Sequence, residues 1–123
     1  MSMEKILVAD DEEALRILIC DTLEKENRII DEARNGEEAC QLILTEDYDL
    51  LILDVMMPER TGYELCQEAK NMDNSPLVLI LTAKAQSADR EKALAAGADH
   101  VMIKPFSTMA LEEVVEKLLE SRN

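Results

Sequence analysis

LLILDVMMPERTG, residues 50–62, runs four apolar residues straight into an aspartate, Asp54, and then breaks at Pro58 and Gly62. The run does not alternate with polar residues, so it reads as a strand covered on both faces, as in a parallel sheet. Ionised carboxylates are rarely buried without a partner. A carboxylate ending such a strand therefore points to a function.

The same pattern recurs along the chain. Short apolar runs lie at 5–9 (KILVA), 28–33 (RIIDEA), 50–53 (LLIL), 77–81 (LVLIL) and 100–103 (HVMI), each followed by a helix-like segment. RIIDEA is the most polar of them and suits a sheet edge. Asn35 with Glu38 and Thr61 with Glu64 have capping-box spacing, and Ser87 and Ser107 are further N-cap candidates. Gly97 falls where a left-handed helix end is expected. Leu111, Val114, Val115, Leu118 and Leu119 form one apolar stripe on the last helix. The first helical stretch, EEALRILICDTLEKE, is apolar on more than one face, through Ala14, Leu15, Ile17, Leu18, Ile19, Cys20 and Leu23.

Five strand–helix pairs in alternation imply an α/β fold, a parallel sheet with helices on both faces and right-handed crossovers. At 123 residues the expectation is one domain, 1–123. The 27 acids against 13 bases give a net charge of −14, which disfavours direct nucleic-acid or anionic-membrane binding. Cys20, Cys40 and Cys66 are odd in number and lack CxxC spacing, so they read as reduced, core or half-buried residues of a cytoplasmic protein. Residues 1–13 lack the apolar stretch of a signal peptide, and no run reaches bilayer-spanning length.

In open α/β sheets, ligands bind beyond the carboxyl ends of the strands. The residues there are Asp10 and Asp11 after the first run, Asp54 after the third, Thr82 after the fourth and Lys104 after the fifth. Each has an ordinary alternative: a helix cap for Asp10-Asp11, a turn aspartate, a strand-end threonine, a surface lysine. Together they form a chemically coherent set. Three neighbouring carboxylates repel and raise one another's pKa, and a hard divalent cation such as Mg²⁺, held by oxygen ligands and water, removes that penalty. With Lys104 and the Thr82 hydroxyl alongside, one carboxylate is placed to take up a phosphoryl group, and Asp is an established phosphoryl acceptor.

ILVADDEE, LLILDVMMPERTGYEL, LVLILTAK and AAGADHVMIKPFS, in this order and spacing, resemble the signature blocks of the two-component response-regulator receiver domain, over about residues 4–120. The resemblance implies a flavodoxin-like (βα)5 fold with strand order 2-1-3-4-5. It implies that Asp54 accepts a phosphoryl group from a phosphohistidine of a sensor histidine kinase or histidine phosphotransfer protein. Asp10, Asp11, Asp54 and the backbone carbonyl of Met56 would bind Mg²⁺, Lys104 would pair with a phosphate oxygen, and Thr82 would move to bond another. A cis Lys104–Pro105 bond is implied as well, and so is kinase docking on surplus apolar residues of the first helix.

Val101 stands where the family often has an aromatic switch residue, so signalling through a swinging ring is not expected here. His100 beside it reads as a surface or edge-strand histidine. Met56 and Lys84 occupy positions that in the family influence water access to the acyl phosphate, whereas Met57 reads as core filler. Autodephosphorylation would be the only hydrolytic activity.

The competing reading is an aspartyl-phosphate phosphatase or phosphotransferase enzyme, but such enzymes typically carry a second Asp where this chain has Met56. A flavin module needs a Ser/Thr/Gly-rich loop where Asp10-Asp11 stand. The receiver could stand alone or belong to a longer DNA-binding regulator or hybrid kinase, and its output domain or downstream partner is not legible.

Overall fold

The computed structural model describes residues 3–84 and 86–122, and the expected domain limits, 1 and 123, lie outside them. Ten elements alternate: β1 (Glu4–Ala9), α1 (Glu13–Leu23), β2 (Arg28–Ala33), α2 (Gly36–Thr45), β3 (Leu50–Asp54), α3 (Gly62–Lys70), β4 (Leu77–Thr82), α4 (Ser87–Ala95), β5 (His100–Ile103) and α5 (Thr108–Arg122). The strands pair in parallel in the order 2-1-3-4-5, the flavodoxin-like arrangement expected. The more polar RIIDEA strand is an edge.

Side chains alternate across each strand, so non-alternating runs feed two cores. Leu7, Ala9, Leu51, Leu53, Val78 and Ile80 pack with residues of α2, α3 and α4 on one face. Ile6, Val8, Leu50, Ile52, Leu79 and Leu81 pack with Ile19 and Leu23 of α1 and Leu111, Val115 and Leu119 of α5 on the other. Residues 50–53 are wholly buried, the reason that stretch could afford no polar position before Asp54. Met57 is buried as expected, Cys66 is buried, Cys20 and Cys40 are half-buried, and all three thiols are free.

Helix starts follow the sequence with two exceptions. Asn35 Oδ1 accepts from Glu38 N–H at 2.8 Å, Thr61 Oγ1 from Glu64 N–H at 3.2 Å and Ser107 Oγ from Ala110 N–H at 3.0 Å. Ser87, by contrast, is the first helical residue of α4; Gln86 holds the cap position without a side-chain bond. Helix α1 ends with its last apolar residue, Leu23, short of Glu26, where the helix-like stretch ended, and its cap residue is Glu12 rather than either aspartate. Gly97 has φ +98°, the left-handed end expected.

Candidate functional site

The carboxyl ends of β1 and β3 meet where the strand order reverses, at the centre of the sheet. Asp10 follows β1 and Asp54 closes β3. Asp10 is 0 % and Asp54 5 % exposed, whereas Asp11 is open to solvent. A carboxylate oxygen of Asp10, Asp11 and Asp54 all lie within 4.8 Å of one another.

Lys104, just past β5, reaches back across β4. Its ammonium stands 3.0 Å from Asp54 Oδ1 and 3.2 Å from Asp10 Oδ2. The other oxygen of Asp10 accepts the Glu12 N–H at 2.9 Å, so both of its oxygens are held. Lys104 N–H donates to the Thr82 carbonyl at 2.7 Å, which ties the lysine's main chain to the end of β4. The Lys104–Pro105 bond is cis, as the resemblance implied.

The electrostatics follow from this crowding. Burial pushes the Asp54 carboxyl above its ordinary value, Asp10 and Asp11 add to the rise, and the Lys104 ammonium opposes it. For Lys104, burial acts downward, but its bond to Asp54 and the charges of Asp10 and Asp54 outweigh it, so the ammonium is held more firmly than in water. One cation against three carboxylates leaves an excess of negative charge around oxygen donors, and such a cluster is compatible with Mg²⁺.

Of the remaining sequence candidates, Thr82 and Met56 sit at the same edge, and Val101 and His100 do not. Thr82 is 3 % exposed and its Oγ1 accepts the Lys84 N–H at 3.1 Å, so its hydroxyl is engaged with the loop that follows β4. Met56 lies in the turn after β3 with its side chain 67 % exposed. Val101 is half-buried against the α2–α3–α4 core, and His100 is exposed at the far end of the β5 edge strand.

The family description "Response regulator receiver domain" matches residues 6–116. The chain belongs to that family. Transcriptional regulatory protein ResD of Bacillus subtilis is 44 % identical over 115 residues, 94 % of this chain and 48 % of ResD. Chemotaxis protein CheY of Halobacterium salinarum is 35 % identical over 116 residues, 94 % of this chain and 97 % of CheY. The receiver domain of the Francisella response regulator 1452 superposes with a TM-score of 0.90 at 31 % identity, covering 98 % of this chain and 99 % of that one. This receiver domain thus spans about half the length of ResD and nearly all of CheY. Its class is that of the signalling receiver domains of two-component response regulators. Membership of that family favours a signalling module over the phosphatase reading.

Sequence reasoning missed two supports of the site. Arg16, on α1, is buried and donates to the Asp10 carbonyl. It shares a helix face with Ile19, Cys20 and Leu23, and a charge on that apolar stripe was the available signal. Gly62, the first residue of α3, lies directly beneath Asp54: a Cβ there would stand 2.6 Å from the Asp54 carbonyl oxygen. No sequence pattern announces that approach.

Proposed function

We propose that Asp54 is the phosphoryl acceptor of this receiver domain, and that Lys104 and Thr82 assist it. The observation that carries the reading is the buried Asp54 carboxylate, 3.0 Å from the Lys104 ammonium and beside Asp10 and Asp11. An Asp54 oxygen forms the O–P bond as the P–N bond of a phosphohistidine breaks, and the electron pair of that bond stays on the leaving imidazole. Lys104 is then positioned to hold a phosphoryl oxygen, and the Thr82 hydroxyl, released from Lys84 N–H, to bond a second.

The all-oxygen cluster fits Mg²⁺. Asp10, Asp11, Asp54 and the main-chain carbonyl of Met56 are the residues that would hold it. When bound, the ion offsets the crowded negative charge, the largest demand of phosphoryl transfer. Hydrolysis of the resulting acyl phosphate is the domain's own reset, not an enzymatic turnover.

Kinase or phosphotransfer partners dock on α1. Ile17 is 46 % and Leu18 48 % exposed, and with exposed Ala14 they form an apolar surface beside the acidic edge. The broad-core reading of this helix fails at these positions, since only Ile19 and Leu23 of its apolar residues are buried. We place residues 1–123 as a single receiver domain acting in the cytoplasm, in keeping with three free cysteines. Its output, in the same chain or in another, is switched by the added charge of about −1.5 to −2.

The test is intact-mass spectrometry after incubation with phosphoramidate and MgCl₂. Wild type takes up one phosphoryl group and Asp54→Asn none; equal labelling of the two refutes the assignment.

A further inference from the structure

The β1–α1 turn carries Asp10 and Asp11, yet it is fastened from outside. Arg16 is 6 % exposed. Its Nη1 donates to the Asp10 carbonyl at 2.9 Å, and its Nε donates to Glu32 Oε1 on β2, also at 2.9 Å. The Asp10 carbonyl lies one residue past the last ladder pairs of β1, Ala9 with Ala33 and with Leu53. Arg16 therefore supplies a donor where the sheet no longer does, and a buried carbonyl left without one costs about 1–3 kcal/mol. The planar guanidinium can serve a carbonyl and a carboxylate in one fixed geometry, which a lysine ammonium on its flexible stem cannot.

We propose that Arg16 is a positioning residue of the acidic site: with Glu32 it pins the Asp10–Asp11 turn to β2 so that the carboxylates converge on one divalent cation. The inference rests on the Mg²⁺ reading above. Groups that orient metal ligands typically govern affinity by about 10–100-fold.

A purely structural role makes a different prediction, and the molecule contains its own control. Arg28 is also buried, and its Nη1 donates to the Leu23 carbonyl at 2.7 Å. It also pairs with Glu4 and Glu116, at 2.8 and 2.9 Å. It opens β2 opposite Glu4, at the end of the sheet away from the acidic cluster.

The experiment titrates MgCl₂ alone into wild type, Arg16→Met, Arg16→Lys and Arg28→Met by isothermal calorimetry, with urea unfolding in EDTA run in parallel. Arg16→Met is expected to weaken Mg²⁺ at least about tenfold and Arg16→Lys about threefold or more. Arg28→Met is expected to lower the urea midpoint yet keep Mg²⁺ affinity within about twofold of wild type, as for distant independent sites. Wild-type affinity in Arg16→Met overturns the proposal. So does an equal loss in Arg28→Met, which would make the effect one of general stability. If Arg16→Met does not fold, Arg16→Lys decides by the same criterion. A wild type that binds no Mg²⁺ overturns the metal reading itself, an outcome separate from the other two.

Discussion

Replacing Asp54 by Asn should stabilise the metal-free protein, although it removes an ion pair. Two carboxylates stand within 4.8 Å of Asp54, and one ammonium lies 3.0 Å away. At an effective dielectric of about 20, each repulsion costs about 3.5 kcal/mol and the attraction returns about 5.5 kcal/mol. The balance is about 1–2 kcal/mol against the charge, before the cost of burying a side chain that is 7 % exposed. Asn keeps an oxygen to accept from Lys104 and drops the repulsion. Urea and thermal unfolding in EDTA near neutral pH should therefore show Asp54→Asn more stable by about 1–2 kcal/mol, or about 3–8 °C in Tm.

The pH dependence supplies a second check on the same variant. The folded pKa of Asp54 lies above the ordinary 3.8, because of burial and then its carboxylate neighbours, with Lys104 opposing. Folded protein thus binds this proton more tightly than unfolded protein, and wild-type stability falls as pH rises from 3.8 through the folded value. The advantage of Asn must be full above that window and vanish below it. An Asn variant no more stable than wild type near neutral pH, or a gain that does not shrink on acidification, would show that Asp54 is not under electrostatic strain.

Three further outcomes follow from the geometry. Lys104→Met removes the ammonium shared by Asp10 and Asp54, so it should destabilise the metal-free protein by about 2–4 kcal/mol; calorimetry should show Mg²⁺ binding retained or tightened while phosphoramidate labelling slows. Gly62→Ala drives a Cβ to within 2.6 Å of the Asp54 carbonyl oxygen; overpacking of that kind costs about 1–3 kcal/mol and should slow labelling as Asp54 shifts. Glu116 is pushed up by burial, but bonds from Arg28 and Lys25 prevail and hold its folded pKa below the ordinary 4.5. Its stabilisation is thus present above 4.5 and lost as pH falls through the folded value. The deficit of Glu116→Gln, about 0.5–1 kcal/mol for a partly exposed pair, should appear in urea midpoints at pH 7 and be absent below the folded pKa.

Much of this molecule is written locally. Non-alternating runs at 50–53 and 77–81 fit strands covered on both faces, and the structure covers both faces of them. Capping side chains at Asn35, Thr61 and Ser107 act within three residues of their partners, so their spacing alone located the helix starts. Where local signals compete the reading slipped: Ser87 lies one residue inside α4, and the stretch expected as the first helix outruns α1 by its polar tail, residues 24–26.

The sequence by itself determined the alternation of strands and helices, and placed Asp10, Asp11, Asp54, Thr82 and Lys104 at strand ends. Chain order puts these five residues at the carboxyl ends of β1, β3, β4 and β5, and in a parallel sheet every such end falls on the same side. Which of them touch depends on sheet order and on side-chain reach. Only the tertiary structure decided that Lys104 spans β4 to join Asp54 and Asp10, while the Thr82 hydroxyl turns to Lys84 N–H. It alone revealed the 2.9 Å bond from Arg16 to the Asp10 carbonyl and the approach of Gly62 to Asp54, where an added Cβ would stand 2.6 Å from the carbonyl oxygen, because both depend on how separate elements come together.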